Sequence, residues 1–103
     1  MRIPALAIIL TVVMPSLAFA EDKVSTQLGV ILASEQFCGF KYDQAAIRDF
    51  INTYVAADDM NFPTRLSGET NLSEINQRGY SPSQKTARCA QVERLAKHYK
   101  FIN

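Results

Sequence analysis

Few side chains in this sequence of 103 residues are suited to covalent or metal chemistry: two cysteines, Cys38 and Cys89, and one histidine, His98. The cysteines lack the Cys-x-x-Cys spacing of a redox couple, and in an oxidising compartment such a pair reads most simply as one structural disulfide. It would close a loop of about 52 residues, which the chain-entropy model values at roughly 4 kcal/mol. That is comparable to the net stability of a small domain. A nucleophilic thiol would need a base, but His98 lies nine residues after Cys89, about two and a half helical turns on, and so on the opposite face. A Ser-His-Asp set would also have to use His98, which shares a basic, solvated face with Arg94 and Lys97. Those three residues form the candidate surface for a charged partner, and the helical wheel predicts no concave pocket joining His98 to a carboxylate of shifted pKa. Asp58-Asp59 lacks the alternating oxygen ligands and glycine of a calcium loop, and one histidine with two bonded cysteines cannot build a zinc site. None of the four glycines belongs to a phosphate-binding loop. The expectation is no catalytic set, no metal and no cofactor.

The N-terminus is what predicts the oxidising compartment. Met1-Arg2 is a minimal positive start, Ala5 to Met14 is apolar but for Thr11, and Pro15-Ser16 breaks the run. Leu17-Ala18-Phe19-Ala20 then supplies the small-x-small pattern of a signal peptidase site, with Glu21 as the new terminus. An apolar run of about 10 residues is short of the ~20 needed to span a bilayer. Residues 1–20 therefore read as a cleavable signal peptide. Residues 21–103 read as one exported domain with no membrane insertion after cleavage.

The elements that must position the cysteines are helical. Val24, Leu28, Ile31 and Leu32 recur at helical spacing, predicting a first helix over 23–36 with Gly39 as its stop. Asp43 is a good N-cap for a second helix, with Tyr42 stapling onto Ile47. Ile47, Phe50, Ile51, Tyr54 and Val55 mark its buried stripe, and its end is expected near Ala56 or Ala57. Over 60–77 the apolar residues Phe62, Leu66, Leu72 and Ile75 give a broken pattern. Ser67-Gly68 predicts a kink or two short helices there, capped by Asp58 or Asp59, and residues 77–80 read as a loop. The last helix has Ser81 as N-cap, Pro82 in the first turn and Gln84 closing a capping box. Cys89, Val92, Leu95, Ala96 and Tyr99 form one apolar arc on it, with Cys89 at the edge. The disulfide would thus tie the inner side of the last helix to the exit of the first, while Phe101 and Ile102 fold back. The predicted fold is all-α, a small four- to five-helix bundle stapled by one disulfide.

Four segments carry a resemblance: Asp43-Gln44-Ala45-Ala46-Ile47, Ala57-Asp58-Asp59-Met60, Lys85-Thr86-Ala87-Arg88-Cys89-Ala90-Gln91, and Tyr99-Lys100-Phe101-Ile102. The chain resembles a family of small exported alphaproteobacterial helical proteins of unknown function, sometimes carried under the label "signal recognition particle". The label does not suit a chain with its own export signal, no GTPase loop and no methionine-rich RNA domain. The resemblance implies a periplasmic or secreted location and a paired cysteine couple, and no activity.

Charge is unevenly placed. Residues 21–77 carry nine acidic and four basic side chains, whereas 78–103 carry six basic and one acidic. The simplest reading is complementarity within the molecule, with the basic last helix beside acidic elements. The alternative is a bipolar surface for a charged partner. A body near neutrality argues against nucleic acid. These features predict an exported, non-enzymatic binding or interaction protein of the periplasm, with a stress-chaperone-like role as one form of it. A secreted effector or signalling protein acting on a host or neighbouring cell is the alternative. Either implies a protein partner.

Overall fold

A computed structural model describes residues 17–103, with side chains from residue 23 onward. The leader expected over 1–20 lies mostly outside the described residues. Four helices follow one another: α1 (Leu17–Cys38), α2 (Gln44–Tyr54), α3 (Phe62–Gln77) and α4 (Pro82–His98). The all-α bundle with one disulfide is thus the observed fold, with four helices.

Helix α1 begins six residues before the expected Lys23 and continues through the expected cleavage point after Ala20. Residues 17–23 hold neither glycine nor proline, so nothing in the chain interrupts the helix there. Its end is the one predicted. Gly39 takes a positive φ of 76°, its N–H donates to the Gln36 carbonyl, and the Phe40 N–H donates to the Glu35 carbonyl at 2.7 Å. This paired arrangement satisfies the last carbonyls of the helix, and it requires a residue that tolerates the left-handed region.

Helix α1 is the centre of the bundle. Leu28 and Ile31 are fully buried among Tyr42, Phe50, Val92, Ala96 and Phe101. Ser25, Gly29 and Ala33, spaced by four and all buried, form a stripe of small residues on the same helix. Gly29 is where α3 comes closest: a Cβ there would lie 2.7 Å from the Glu69 Cβ and 3.1 Å from the Glu69 backbone.

That close approach accounts for the main departures of α3 from expectation. No kink occurs at Ser67-Gly68, and a single helix spans the whole stretch. A mid-helix glycine costs only about 1 kcal/mol, which packing against α1 offsets. The inward stripe is Phe62, Leu66, Glu69, Thr70, Ser73 and Gln77, mostly small or polar, whereas Leu72 and Ile75 point outward and are more than half exposed. Neither Asp58 nor Asp59 caps the helix. Asn61 holds the N-cap position without a side-chain bond, because the Asp59 carboxylate instead accepts both Arg65 Nη1 (3.1 Å) and Nη2 (2.6 Å).

Helix α2 starts as predicted, with the Asp43 carboxylate accepting from the Ala45 N–H at 2.9 Å. It ends at Tyr54, earlier than expected, where Val55 turns extended. Tyr42, expected as a staple, is a core residue: its hydroxyl donates to the Ile31 carbonyl at 2.8 Å and its N–H donates to Glu35 Oε2 at 2.7 Å. Burial, with the Glu35 carboxylate adding to it, pushes this phenol well above the ordinary tyrosine range. On α4 the capping box between Ser81 and Gln84 forms as read from sequence. After α4, Lys100 adopts φ 68°, the Phe101 N–H donates to the Ala96 carbonyl at 2.8 Å, and Phe101 enters the core. Phe50 of α2 packs edge-on against Tyr99 at 4.7 Å and Phe101 at 5.8 Å, which seats α2 against the tail of α4.

Three variants test these packing claims. Gly29→Ala should lose about 2–3 kcal/mol in urea unfolding, the cost of forcing backbone apart. Gly68→Ala, with open space around it, should gain about 0.5–1 kcal/mol. The Tyr42 phenol stays neutral in the folded protein at pH values where the unfolded chain releases its proton. Its contribution is therefore complete below about pH 10 and is lost as pH rises above it. Tyr42→Phe should cost about 1 kcal/mol at neutral pH through the lost hydrogen bond and show a smaller further loss between pH 9 and 11.5 than the parent, read from paired urea curves.

Candidate functional site

Cys38 is the last residue of α1 and Cys89 lies midway along α4. Their sulfurs are joined, with Cα atoms 5.5 Å apart across 51 positions of sequence. The bond fixes the C-terminal end of α1 to α4, as expected from the apolar arc. Val92 and Ala96 on that arc are buried, Leu95 and Tyr99 half-buried, and Cys89 sits at the margin.

Near the bond lies a polar and aromatic cluster that includes Gln77 and Tyr80, the first and last residues of the stretch expected as a loop. Gln77 is the last residue of α3 and is 2% exposed. With its amide oriented to satisfy both ends, Nε2 donates to the Ala33 carbonyl (3.1 Å), and Oε1 accepts from Arg88 Nη1 (3.2 Å) and Ser34 Oγ (2.8 Å). The single Ser34 proton is shared with the Val30 carbonyl, also 2.8 Å away. Arg88 Nη2 donates to the Tyr80 hydroxyl at 2.7 Å, and the Tyr80 ring meets Phe37 edge-on at 6.1 Å. Lys85 Nζ sits 4.8 Å from the Phe37 ring centroid, a distance at which a cation is attracted by the ring. The Gln77 amide thus links α3 to α1 and, through the Arg88 guanidinium, to α4. The one signal in the sequence was adjacency: Arg88 precedes Cys89.

The basic face is where it was expected. Arg94, Lys97 and His98 are all exposed on the last turns of α4, and Lys97 Nζ is 3.2 Å from Glu93 Oε2 on the same helix. His98 also lines a shallow depression of about 260 Å³ with Asp49, Thr53, Tyr54 and Lys100. The turn after α4 brings its end against α2 and creates this hollow. The hydroxyl there, Thr53 Oγ1, donates to the Asp49 carbonyl at 2.8 Å. The disulfide borders a different depression.

The expected pairing of the basic helix with acidic elements is not made by direct ion pairs. Those between described side chains, Asp59–Arg65 and Glu93–Lys97, each stay within one region of the chain. Among the described residues no group of three or more His, Cys, Asp or Glu could hold a metal ion, and no helix is long and apolar enough to cross a membrane.

No protein-family model, no curated protein and no solved structure matches this chain.

The Gln77 cluster is testable. Gln77→Leu keeps the volume but leaves Arg88 short of an acceptor in a half-buried position. The expected loss is about 2–3 kcal/mol, whereas Tyr80→Phe should cost about 1 kcal/mol. Urea midpoints of the two variants at equal pH decide the order.

Proposed function

We propose that this is an exported, non-enzymatic binding protein that works outside the cytosol, in the periplasm or beyond. The observation that carries the reading is the Cys38–Cys89 bond between α1 and α4. A small bundle held by one long-range disulfide depends on an oxidising compartment, and the residues of the first twenty positions have the composition of an export signal. The resemblance to small exported alphaproteobacterial proteins supports the same location.

Binding is favoured over catalysis by how the reactive groups are used. Both cysteines are bonded, and His98 and Asp49 share only a shallow hollow in which the Thr53 hydroxyl is turned to backbone. Apolar side chains are meanwhile left uncovered: Met60 is 82% exposed, and Leu72 and Ile75 stand a turn apart on the outside of α3. A chaperone-like form of the activity follows from the carboxylates that fix the connections. Glu35 holds the Tyr42 N–H, Asp43 caps α2 and Asp59 clamps Arg65. Small bundles that loosen in acid uncover further apolar surface, which a chaperone of this kind would use to hold its client. The secreted-effector alternative draws on the separation of charge along the chain, which the ion pairs leave uncompensated.

A C-terminally tagged copy expressed with its leader, followed by fractionation and intact mass, tests the location. The expected species begins at Glu21, is absent from the cytosol and resists thiol alkylation until reduced; a cytosolic protein with two free thiols would overturn the proposal. Cys38→Ser should cost about 2–5 kcal/mol. Incubation near pH 2.5, below the usual carboxylate range, with an aggregating client separates the chaperone-like form, which protects the client, from a protein with no such action.

A further inference from the structure

The two cysteines that staple the bundle lie at its margin. Cys38 and Cys89 are each only half-buried, and both line a depression of about 670 Å³ whose other walls include Phe37, Phe40, Lys85 and Glu93. The depression is shallow and open, so a small molecule would rest against its walls without being enclosed. Its charge is set by Lys85 and Glu93, one helical turn before and one after Cys89 on the same face of α4. Glu93 is engaged by Lys97 at 3.2 Å. Lys85 has an aromatic ring and no described carboxylate as its neighbour, and Arg88 is turned aside to Tyr80 and Gln77. The sulfurs therefore lie in a hollow where the uncompensated charge is positive.

We infer that Cys38–Cys89 undergoes thiol–disulfide exchange within the folded protein, and that the hollow takes a small anionic thiol. The incoming thiolate attacks Cys38 Sγ. The electron pair of the sulfur–sulfur bond departs on Cys89 Sγ, whose thiolate develops one turn from Lys85 and then takes a proton from water. A second thiol attacks the mixed disulfide, frees Cys38 as its thiol and leaves the reagent as its own disulfide, so two reagent thiols supply the two electrons. A nearby cation favours both the approach of the anion and the departing thiolate. Lys85 is thus a positioning residue that selects which sulfur is attacked. This reactivity goes beyond the export reading, and because it is measured on purified protein its failure leaves the location untouched.

The test follows native-state reduction of the oxidised protein by reduced glutathione, with acid quenching and mass spectrometry. The expected rate is proportional to thiol concentration and flat across low urea, with the mixed disulfide on the Cys38 peptide. Lys85→Gln should slow glutathione about fivefold while leaving the cationic thiol cysteamine unchanged or faster; Arg48→Gln, on exposed α2 surface, should alter neither. A rate independent of thiol, or one that climbs with urea as global unfolding does, would show a bond reached only when the protein opens and would overturn the inference. An adduct on Cys89, or equal slowing of both reagents in Lys85→Gln, would overturn the role of Lys85.

Discussion

The missing side chain at Gly29 lets two helix backbones meet, and much of the bundle is arranged around that meeting. With α3 seated against α1 at this point, Gln77, about two turns further along α3, reaches the Ala33 carbonyl and Ser34. That places the Gln77 amide where Arg88 of α4 can use it, next to Cys89 and its bond to Cys38. Small residues give such a seam its closeness, and hydrogen-bonded polar side chains give it its register. A larger residue at position 29 would separate α1 from α3 and displace the cluster beside the disulfide.

This dependence also explains what the sequence disclosed and what it concealed. Three helix ends, the starts of α2 and α4 and the finish of α1, were legible because caps are local: Asp43, Ser81 with Gln84, and Gly39 all act within a few residues of themselves. The disulfide was legible because two cysteines leave one pairing. Helix α3 was misread because apolar periodicity looks for large side chains, and its inner stripe is carried by Ser73, Thr70 and Gln77. Leu72 and Ile75, the residues that gave the apolar pattern, lie on the outside. The hollow that joins His98 to Asp49 was hidden for a different reason. It arises from the tertiary placement of α2 against the end of α4, which no wheel drawn on one helix contains.

The distribution of charge gains a definite form in the fold. The basic residues of the last third do not neutralise the acidic ones by contact. Arg88 is absorbed by neutral acceptors, Lys85 rests on an aromatic ring, and Arg94, Lys97 and His98 remain at the surface. The exposed basic residues of α4 therefore remain able to act on charged species within about a Debye length, roughly 8–10 Å at physiological salt. Such action suits the binding proposed here.

The left-handed turn at Lys100 has a reach beyond its own helix. It carries Phe101 into the core, and the Phe101 carbonyl then accepts the Asp43 N–H at 2.8 Å. Asp43 is also the residue that opens α2. The start of one helix and the finish of another are thereby fastened by a single clasp, so fraying at the tail is transmitted to the middle of the chain. In amide-exchange terms, the protection of Asp43 reports on the last three residues, and the two distant segments behave as one cooperative unit.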